Sequence, residues 1–94
     1  MFVVRNRFTA KPGNASKLAK LLKDVMSHHF KGKVRIMTDH VGTMNTVVME
    51  HEVANLGEFE KLLQEYGEKP DVRERMKGYT ELYESGVREI FRVH

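Results

Sequence analysis

The sequence contains no cysteine and no tryptophan, and only two of its 94 residues are proline. Without cysteine, the chain can form neither disulfides nor Cys-based zinc or iron–sulfur sites, and such a composition suits a reducing cytosol. It has no apolar run near the ~20 residues of a membrane span. Its start, "MFVVRNRF", also lacks the basic, apolar and small-residue order of a signal peptide. These absences predict a soluble, cytoplasmic protein that does not contact a membrane.

The chain is also short, and it has no blocks of one charge. It suits a single domain over residues 1–94, since domains run from roughly 50 to 250 residues, and a domain this small gains from association with a partner. The 16 basic and 13 acidic residues give a net charge of +3. They are interleaved along the chain rather than gathered into a basic stripe, so we expect no nucleic acid partner.

Motifs for metal, phosphate or nucleophile sites are missing as well. His28 and His29 are adjacent and would diverge on a helix, and no H-x-x-x-H or H-E-x-x-H occurs. The sequence has neither a Gly-rich phosphate loop nor a G-x-S-x-G elbow. We therefore expect no metal and no cofactor.

The sequence does contain alternating segments and helical stripes in a clear order. "FVVRNRF", residues 2–8, alternates as a strand does, and two further alternating segments joined through "GTMN" predict a β-hairpin. Apolar residues at three- and four-residue steps predict helices between and after these strands. The predicted strands span residues 2–8, 33–41, 46–53 and 87–93. Of the three predicted helices, Asn14 caps the first, Asn55 caps the second, and the third spans residues 71–84 and ends at Gly86.

This order, β-α-β-β-α-α-β, predicts an α+β fold of the ferredoxin-like type with its second helix broken in two. The usual strand order of that fold is 4-1-3-2, with helices covering one face of the sheet. Because strand side chains alternate, each strand can be divided into a set that meets the helices and a set that points away from them.

The set that points away is rich in arginine. Arginine's flat guanidinium pairs bidentately with carboxylates and is less strongly hydrated than lysine, so it suits partly buried ion pairs. We therefore predict that this face packs against a second copy of the chain in a twofold homodimer. A solvated face or an anion site are the alternatives. The predicted interface residues are Arg5, Arg7, Arg35, Asp39, Glu50, Glu52, Arg88 and Arg92.

The helix-facing set is mostly apolar but has polar exceptions, and buried polar groups need a partner or a function. These exceptions are Asn6, Thr38, His40, His51 and Glu89. Parallel pairing of strands 1 and 3 would place Asn6 beside His51, and these two are the candidate catalytic residues, with His51 as a proton donor or acceptor. A structural histidine is the other reading of His51.

Candidate ligand-binding residues surround this pair. Thr38 and His40 lie on the same predicted face, and three tyrosines on the helix stripes, Tyr66, Tyr79 and Tyr83, could direct their hydroxyl groups into a cavity. Aromatic residues at helical spacing also suit a plain hydrophobic core. The distinguishing observation is the volume enclosed between sheet and helices: roughly 300 Å³ or more, reached by Asn6 and His51, favours an enzyme, and a collapsed core favours a non-enzymatic protein.

The order of elements, with "FVVRNRFTAKPG" at the front and "ERMKGYTELYESGVREIFRV" at the back, resembles the dimeric α/β-barrel superfamily. Within it, the chain is similar to the NIPSNAP-like and antibiotic-biosynthesis-monooxygenase-like small proteins. The resemblance covers nearly the whole chain and is one of pattern and fold. It implies a homodimer whose two sheets face each other to form a barrel, with a ligand pocket between each sheet and its own helices.

The resemblance implies two functions. Cofactor-independent monooxygenases of the superfamily oxidise polycyclic phenols and quinol-like compounds, which implies an aromatic or quinone-like small-molecule ligand near Asn6 and His51. NIPSNAP-like proteins imply instead a non-enzymatic binding or assembly role. Haem-degrading members are matched only by an asparagine in the first strand, Asn6, because this chain lacks their tryptophan and has no histidine between residues 69 and 86.

Overall fold

The computed structural model describes all 94 residues, Met1–His94. Its elements are β1 (Phe2–Ala10), α1 (Ala15–His29), β2 (Val34–Thr38), β3 (Thr46–Val53), α2 (Leu56–Glu68), α3 (Pro70–Arg75), a 3-10 turn (Tyr79–Glu81) and β4 (Tyr83–Arg92). The strands form one antiparallel sheet in the order β2-β3-β1-β4. The predicted α+β, ferredoxin-like fold and its strand order are confirmed.

The two long helices begin where the sequence predicts, but only one is capped by a side chain. Asn55 Oδ1 accepts a hydrogen bond from the backbone N–H of Glu58, and Glu58 Oε2 accepts one from the N–H of Ala54, both at 2.8 Å. This reciprocal pair satisfies two N–H groups at the start of α2. Asn14 precedes α1 without a side-chain hydrogen bond. None of the helices combines the length and the apolarity needed to cross a membrane.

The core lies between one face of the sheet and the helices. On α1, apolar residues at three- and four-residue steps place Leu18 and Leu22 against Ala10 and Val47. A second cluster joins the sheet to Phe59 of α2, through Val4 and Val53. The opposite face of the sheet has no covering layer, so all the helices lie on one side.

The predicted third helix is wrong in length. α3 ends at Arg75, and Gly78 has a φ of +82°, a left-handed conformation that glycine adopts without steric cost. The chain then enters β4, so Tyr83 lies on a strand rather than a helix. Gly86 also lies within β4, where a Cβ atom would come within 3.1 Å of the Phe8 ring. Gly78 ends the helical segment, although the apolar spacing continues past it.

The predicted parallel pairing of strands 1 and 3 is also wrong. The two strands are antiparallel, and their register places His51 opposite Val4 and Asn6 opposite Met49. Asn6 and His51 are therefore not direct cross-strand neighbours. Because residues two apart on a strand share a face, both side chains still point toward the helices.

The predicted alternation of β4 is shifted by one residue. The β1–β4 register places Arg88 opposite Asn6 and Arg92 opposite Phe2, so both arginines lie on the helix side of the sheet. Their guanidinium Cζ atoms lie 5.3 Å and 5.4 Å from the ring centroids of Phe59 and Phe2. A long side chain can cover an aromatic ring and keep its charge near water. Arg88 and Arg92 therefore do not belong to the uncovered face of the sheet.

Val87, Glu89 and Phe91 take the places on the uncovered face that were predicted for these arginines. Glu89, expected on the helix side, instead lies opposite Arg5. β4 is an edge strand whose main neighbours are β1 and the 3-10 turn. Because β4 packs little against the long helices, its half-apolar sequence is compatible with either of its two faces pointing toward them.

Asp39 also leaves the face on which it was predicted. β2 ends at Thr38, and the Asp39 carboxylate accepts hydrogen bonds from the backbone N–H groups of Met44 and Thr46, at 2.7 Å and 3.0 Å. In the loop between β2 and β3, Met44 and Asn45 have positive φ angles. Asp39 thus stabilises the turn of the predicted hairpin, as aspartate commonly does in loops.

Candidate functional site

A cavity of about 250 Å³ lies between the helix-facing side of the sheet and the three helices. Its wall is mostly aliphatic and aromatic, with residues from β1, β3, β4 and all three helices. Asn6, His51 and Arg88 contribute polar groups, and Tyr66 and Tyr79 also line it. Its volume is below the roughly 300 Å³ expected of an enzyme's cavity, but Asn6 and His51 both reach it, and an apolar space with a few convergent polar groups is the usual form of a small-molecule site. We call it the sheet–helix cavity.

A more open cleft of about 430 Å³ adjoins the sheet–helix cavity. Both spaces are lined by Asn6, Arg88 and Tyr79, whereas Tyr83 lines only the cleft. The Tyr79 and Tyr83 rings lie 5.8 Å apart between centroids. The two spaces thus share a wall built from α1, β1, β3, β4 and the segment around the 3-10 turn.

The orientation of Asn6 is fixed by Arg88. The Arg88 Nε–H donates to Asn6 Oδ1 at 2.7 Å, and Asn6 is only 6% exposed. Because a guanidinium has donors and no acceptor, the amide oxygen must point to Arg88. The Asn6 amide nitrogen then remains as a donor for a ligand. The pair therefore offers hydrogen-bond donors and one positive charge to the cavity.

His51 supplies the complementary chemistry. It is also 6% exposed, and its Nδ1 atom is buried without a hydrogen-bond partner. The Phe30 and Phe59 rings lie 5.1 Å and 6.1 Å from the imidazole. Burial, and after it the charge of Arg88, lowers the pKa of His51 below the usual histidine value. At neutral pH the ring is uncharged, so one of its nitrogens can accept a proton or a hydrogen bond.

Tyr66 and Tyr83 remain protonated, and Tyr66 acts as a hydrogen-bond donor. The Tyr66 hydroxyl donates to the backbone oxygen of His29 at 3.2 Å, which ties α2 to the end of α1. Burial raises the pKa of Tyr66, with a smaller contribution from Glu65, and burial also raises the pKa of Tyr83. Tyr66 is therefore partly a structural residue, while Tyr79 and Tyr83 form the aromatic side of the cleft.

Two of the predicted ligand-binding residues lie elsewhere. Thr38 is exposed at the end of β2, opposite Val47, and lines neither the cavity nor the cleft. His40 is exposed in the loop between β2 and β3, on an open surface depression. β2 is shorter than predicted, so both residues lie beyond or at the end of the sheet. No three histidine or carboxylate side chains come together in a group able to hold a metal ion.

Arg88 is the site residue that the sequence reasoning missed. The alternation of β4 assigned it to the opposite face, and its partner Asn6 is 82 residues away along the chain. Only the register between β1 and β4 brings the two together. The sequence did carry one signal, because the strand segments "RNRF" and "VREIFRV" both contain arginine and no lysine.

The uncovered face carries a row of paired charges. Glu50 lies opposite Arg5 on β1 and Arg35 on β2. Arg5 Nε donates to Glu50 Oε2, and Arg35 donates to Glu50 Oε1, each at 2.6 Å. The hydrogen bond from Arg35, together with that from Arg5, lowers the pKa of Glu50, and burial opposes the change. Glu50 is therefore a nearly buried carboxylate held ionised between two arginines.

No protein-family profile matches the sequence, and no curated protein resembles it significantly. Solved structures do resemble its fold. An uncharacterised NIPSNAP domain protein from Burkholderia xenovorans superposes with a TM-score of 0.85 at 14% identity, over 100% of this chain and 95% of that one. For a NIPSNAP family protein from Agrobacterium tumefaciens the TM-score is 0.82 at 14% identity, over 98% and 92% of the chains.

A third similar structure is that of an enzyme. A mutant of SnoaB, a cofactor-independent oxygenase from Streptomyces nogalater, superposes with a TM-score of 0.72 at 12% identity, over 98% of this chain and 91% of that one. Identities this low concern the fold alone. The chain therefore has the fold of NIPSNAP domain proteins and of this oxygenase, which confirms, for the fold, the resemblance to NIPSNAP-like and antibiotic-biosynthesis-monooxygenase-like proteins.

Proposed function

We propose that the protein is a cofactor-independent oxygenase acting on an aromatic, quinol-like small molecule held in the sheet–helix cavity. One observation carries the proposal: an uncharged, unpartnered histidine, His51, lines an apolar cavity that also receives donors from Asn6 and Arg88. A base and a set of donors around an aromatic-sized space suit removal of a proton from an acidic phenol or anthrone. The fold similarity to SnoaB supports the same reaction class.

For an anthrone-type substrate with an acidic methylene group, His51 accepts one proton. Negative charge then develops on the conjugated oxygen of the substrate. The Asn6 amide nitrogen is the donor available to stabilise that oxyanion, and the positive charge of Arg88 beside it adds to the stabilisation. The apolar wall excludes water, which strengthens these interactions.

The substrate itself supplies the electrons. The carbanion donates an electron pair to dioxygen, a C–O bond forms, and the protonated His51 returns its proton to give a hydroperoxide. Loss of the remaining C–H proton with cleavage of the O–O bond releases water and leaves a carbonyl. One methylene group and one dioxygen thus give one carbonyl and one water, and the four electrons that the carbon loses are the four that dioxygen gains. No other reductant is required.

The test uses dithranol, an anthrone, in air-saturated buffer. The protein should raise the rate of quinone formation above that in buffer alone, and oxygen-18 gas should label the new carbonyl and the released water with one atom each. His51→Ala should lower the rate roughly 100-fold or more, the usual contribution of a general base. The acid limb of the pH–rate profile should lie below the ordinary histidine value of about 6.5.

His40→Ala is the matched control, because His40 is exposed in a loop away from the cavity. It should leave the rate unchanged. No acceleration by the wild-type protein, or equal losses in the two variants, would contradict the proposal.

A second candidate is binding without turnover. The NIPSNAP structures superpose with higher TM-scores, 0.85 and 0.82, than SnoaB at 0.72. On this hypothesis the cavity holds an aromatic ligand for transport or assembly. Calorimetric binding of dithranol under nitrogen, without oxygen uptake in air, would favour this candidate over the oxygenase.

The predicted homodimer remains part of the proposal. The uncovered face presents exposed Val87 and Phe91 beside the ion pairs of Glu50, and the Arg5 Cζ atom lies 5.0 Å from the Phe91 ring centroid. Pairing two such faces about a twofold axis would bury these groups in a barrel interior. Light scattering should report twice the monomer mass, and a monomer at micromolar concentration would contradict the dimer. The lack of cysteine suits a cytoplasmic location for this assembly.

A further inference from the structure

Arg88 is a cation on the wall of the sheet–helix cavity that has no carboxylate partner. Four other arginines form ion pairs: Arg5, Arg7, Arg35 and Arg75. The one side-chain hydrogen bond of Arg88 is from its Nε to Asn6, and the two terminal nitrogens of the guanidinium make none. The side chain reaches solvent and lines both the cavity and the cleft. Its charge is therefore available to a ligand.

Arg88 and His51 both lie near the aromatic ring of Phe59. The Arg88 Cζ atom lies 5.3 Å from the Phe59 ring centroid, and the His51 ring lies 6.1 Å from it. Their strands, β4 and β3, lie on opposite sides of β1, and their positions are two residues apart in register. Strand spacing and rise then put their Cα atoms roughly 12 Å apart. A flat ligand can reach a cation at one end of the cavity and the buried imidazole at the other.

We propose that the ligand of this cavity is an aromatic hydroxy acid, whose carboxylate binds the free N–H groups of Arg88 and whose hydroxyl donates to His51. A guanidinium binds a carboxylate through two parallel N–H groups, and such charge-assisted bonds are stronger than neutral ones. The apolar wall accommodates the ring, and the ligand hydroxyl gives the imidazole a hydrogen-bond partner on the side that lines the cavity. The inference rests on the proposed function in that it specifies the substrate class of the same cavity.

A small inorganic anion fits the site less well than an aromatic acid. Phosphate would pair with Arg88 but would leave the aliphatic and aromatic wall uncovered and would not reach His51. The ligand therefore needs both an acidic group and a ring. Arg88 is the residue that selects for the acidic group, and the Phe59 ring lies near both polar ends, 5.3 Å from the Arg88 Cζ atom and 6.1 Å from the His51 ring.

The experiment compares 6-hydroxy-2-naphthoate with its methyl ester by titration calorimetry. The two probes share ring and hydroxyl and differ in charge, so their affinity ratio isolates the carboxylate contact. The wild-type protein should bind the acid about tenfold or more tightly than the ester, as one charge-assisted pair predicts. Arg88→Gln should bring the ratio close to one; the ratio is compared rather than either affinity, because loss of the hydrogen bond to Asn6 affects both probes.

Arg92→Gln is the matched control. Arg92 lies on the same face of the same strand and covers the Phe2 ring at 5.4 Å, but it does not line the cavity. The variant should keep the wild-type ratio. Arg88→Lys, which retains the charge without the paired N–H groups, should keep part of it. The wild-type ratio tests the inference even if Arg88→Gln does not fold.

Equal affinities for acid and ester in the wild type, equal losses in the Arg88 and Arg92 variants, or no binding of either probe would overturn the inference. Its failure is distinct from that of the oxygenase. If dithranol is oxidised but the acid is not preferred, the ligand class is wrong and the reaction stands. If the acid is preferred through Arg88 but dithranol is not oxidised, the site binds aromatic acids without the proposed reaction.

Discussion

Replacing Glu50 by glutamine tests how the uncovered face of the sheet is stabilised. Glu50 accepts hydrogen bonds from Arg5 and Arg35 at 2.6 Å each, and its side chain is 8% exposed. Glutamine has the same shape but no charge, so it keeps one weaker acceptor and loses the attraction to both arginines. We expect the variant to fold and to be less stable.

The exposure of the two arginines sets the size of the effect. Breaking a fully buried ion pair costs about 3–5 kcal/mol, whereas exposed pairs contribute about 0.2–1 kcal/mol. In the single chain the side chains of Arg5 and Arg35 are 38% and 71% exposed, so both can turn toward water after the substitution, whereas the proposed dimer would bury them and raise the cost. We expect the free energy of unfolding to fall by about 1–2 kcal/mol. For a domain of this size that loss lowers the Tm by roughly 5–15 °C.

Urea unfolding at pH 7, followed by circular dichroism, measures the difference. Because the folded-state pKa of Glu50 lies below the unfolded value of about 4.3, the ionised carboxylate stabilises the fold above that pH. The contribution is lost as the pH falls through the folded-state pKa. The gap between wild type and Glu50→Gln should therefore shrink below about pH 4. The measurement is made at two protein concentrations, since association would make the free energy of unfolding depend on concentration.

Glu52→Gln is the control, because Glu52 is exposed on the same face and strand, opposite Val3, and forms no ion pair. Its effect should stay within about 0.5 kcal/mol. The reasoning is refuted if Glu50→Gln is as stable as the wild type at pH 7, or if Glu52→Gln loses as much.

Two further predictions concern the helices. Asn55→Ala should destabilise the protein by about 1 kcal/mol, because Asn55 caps α2. Asn14→Ala should cost less, because Asn14 makes no capping hydrogen bond. Equal losses of stability in urea unfolding would show that the caps are not the cause. Asp71→Asn should speed amide exchange in α3, because Asp71 links that helix to α1 through His29 and pairs with Arg75 within α3. Arg75 and His29 lower the pKa of its carboxyl, so exchange is measured above pH 6, where Asp71 is ionised. Unchanged exchange would contradict this role.

The elements with one clear apolar face could be predicted from the sequence. α1 and α2 each bury a single stripe, and the hairpin strands alternate cleanly, so their local patterns determine which side meets the core. The same patterns identified Asn6 and His51 as polar residues on the buried side. Most residues that line the cavity can therefore be predicted from the spacing of apolar residues in the sequence.

The rest depends on interactions between distant parts of the chain. β4 is half-apolar on both faces, so its orientation follows from its register with β1 rather than from its own sequence. The end of α3 follows from the left-handed conformation of Gly78, which apolar spacing does not reveal. The Arg88–Asn6 hydrogen bond requires both strands to be in place. Arg88, one of the two donors of the candidate site, was therefore hidden, while Asn6 and the base, His51, were not.

The absence of tryptophan gives the tyrosines a second use. All three line the sheet–helix cavity or the adjoining cleft, and no other residue contributes appreciably to the intrinsic ultraviolet emission of the chain. Entry of any compound would quench or shift that emission at its source. The unmodified polypeptide is thus its own optical sensor, and a compound library can be screened against it without a label.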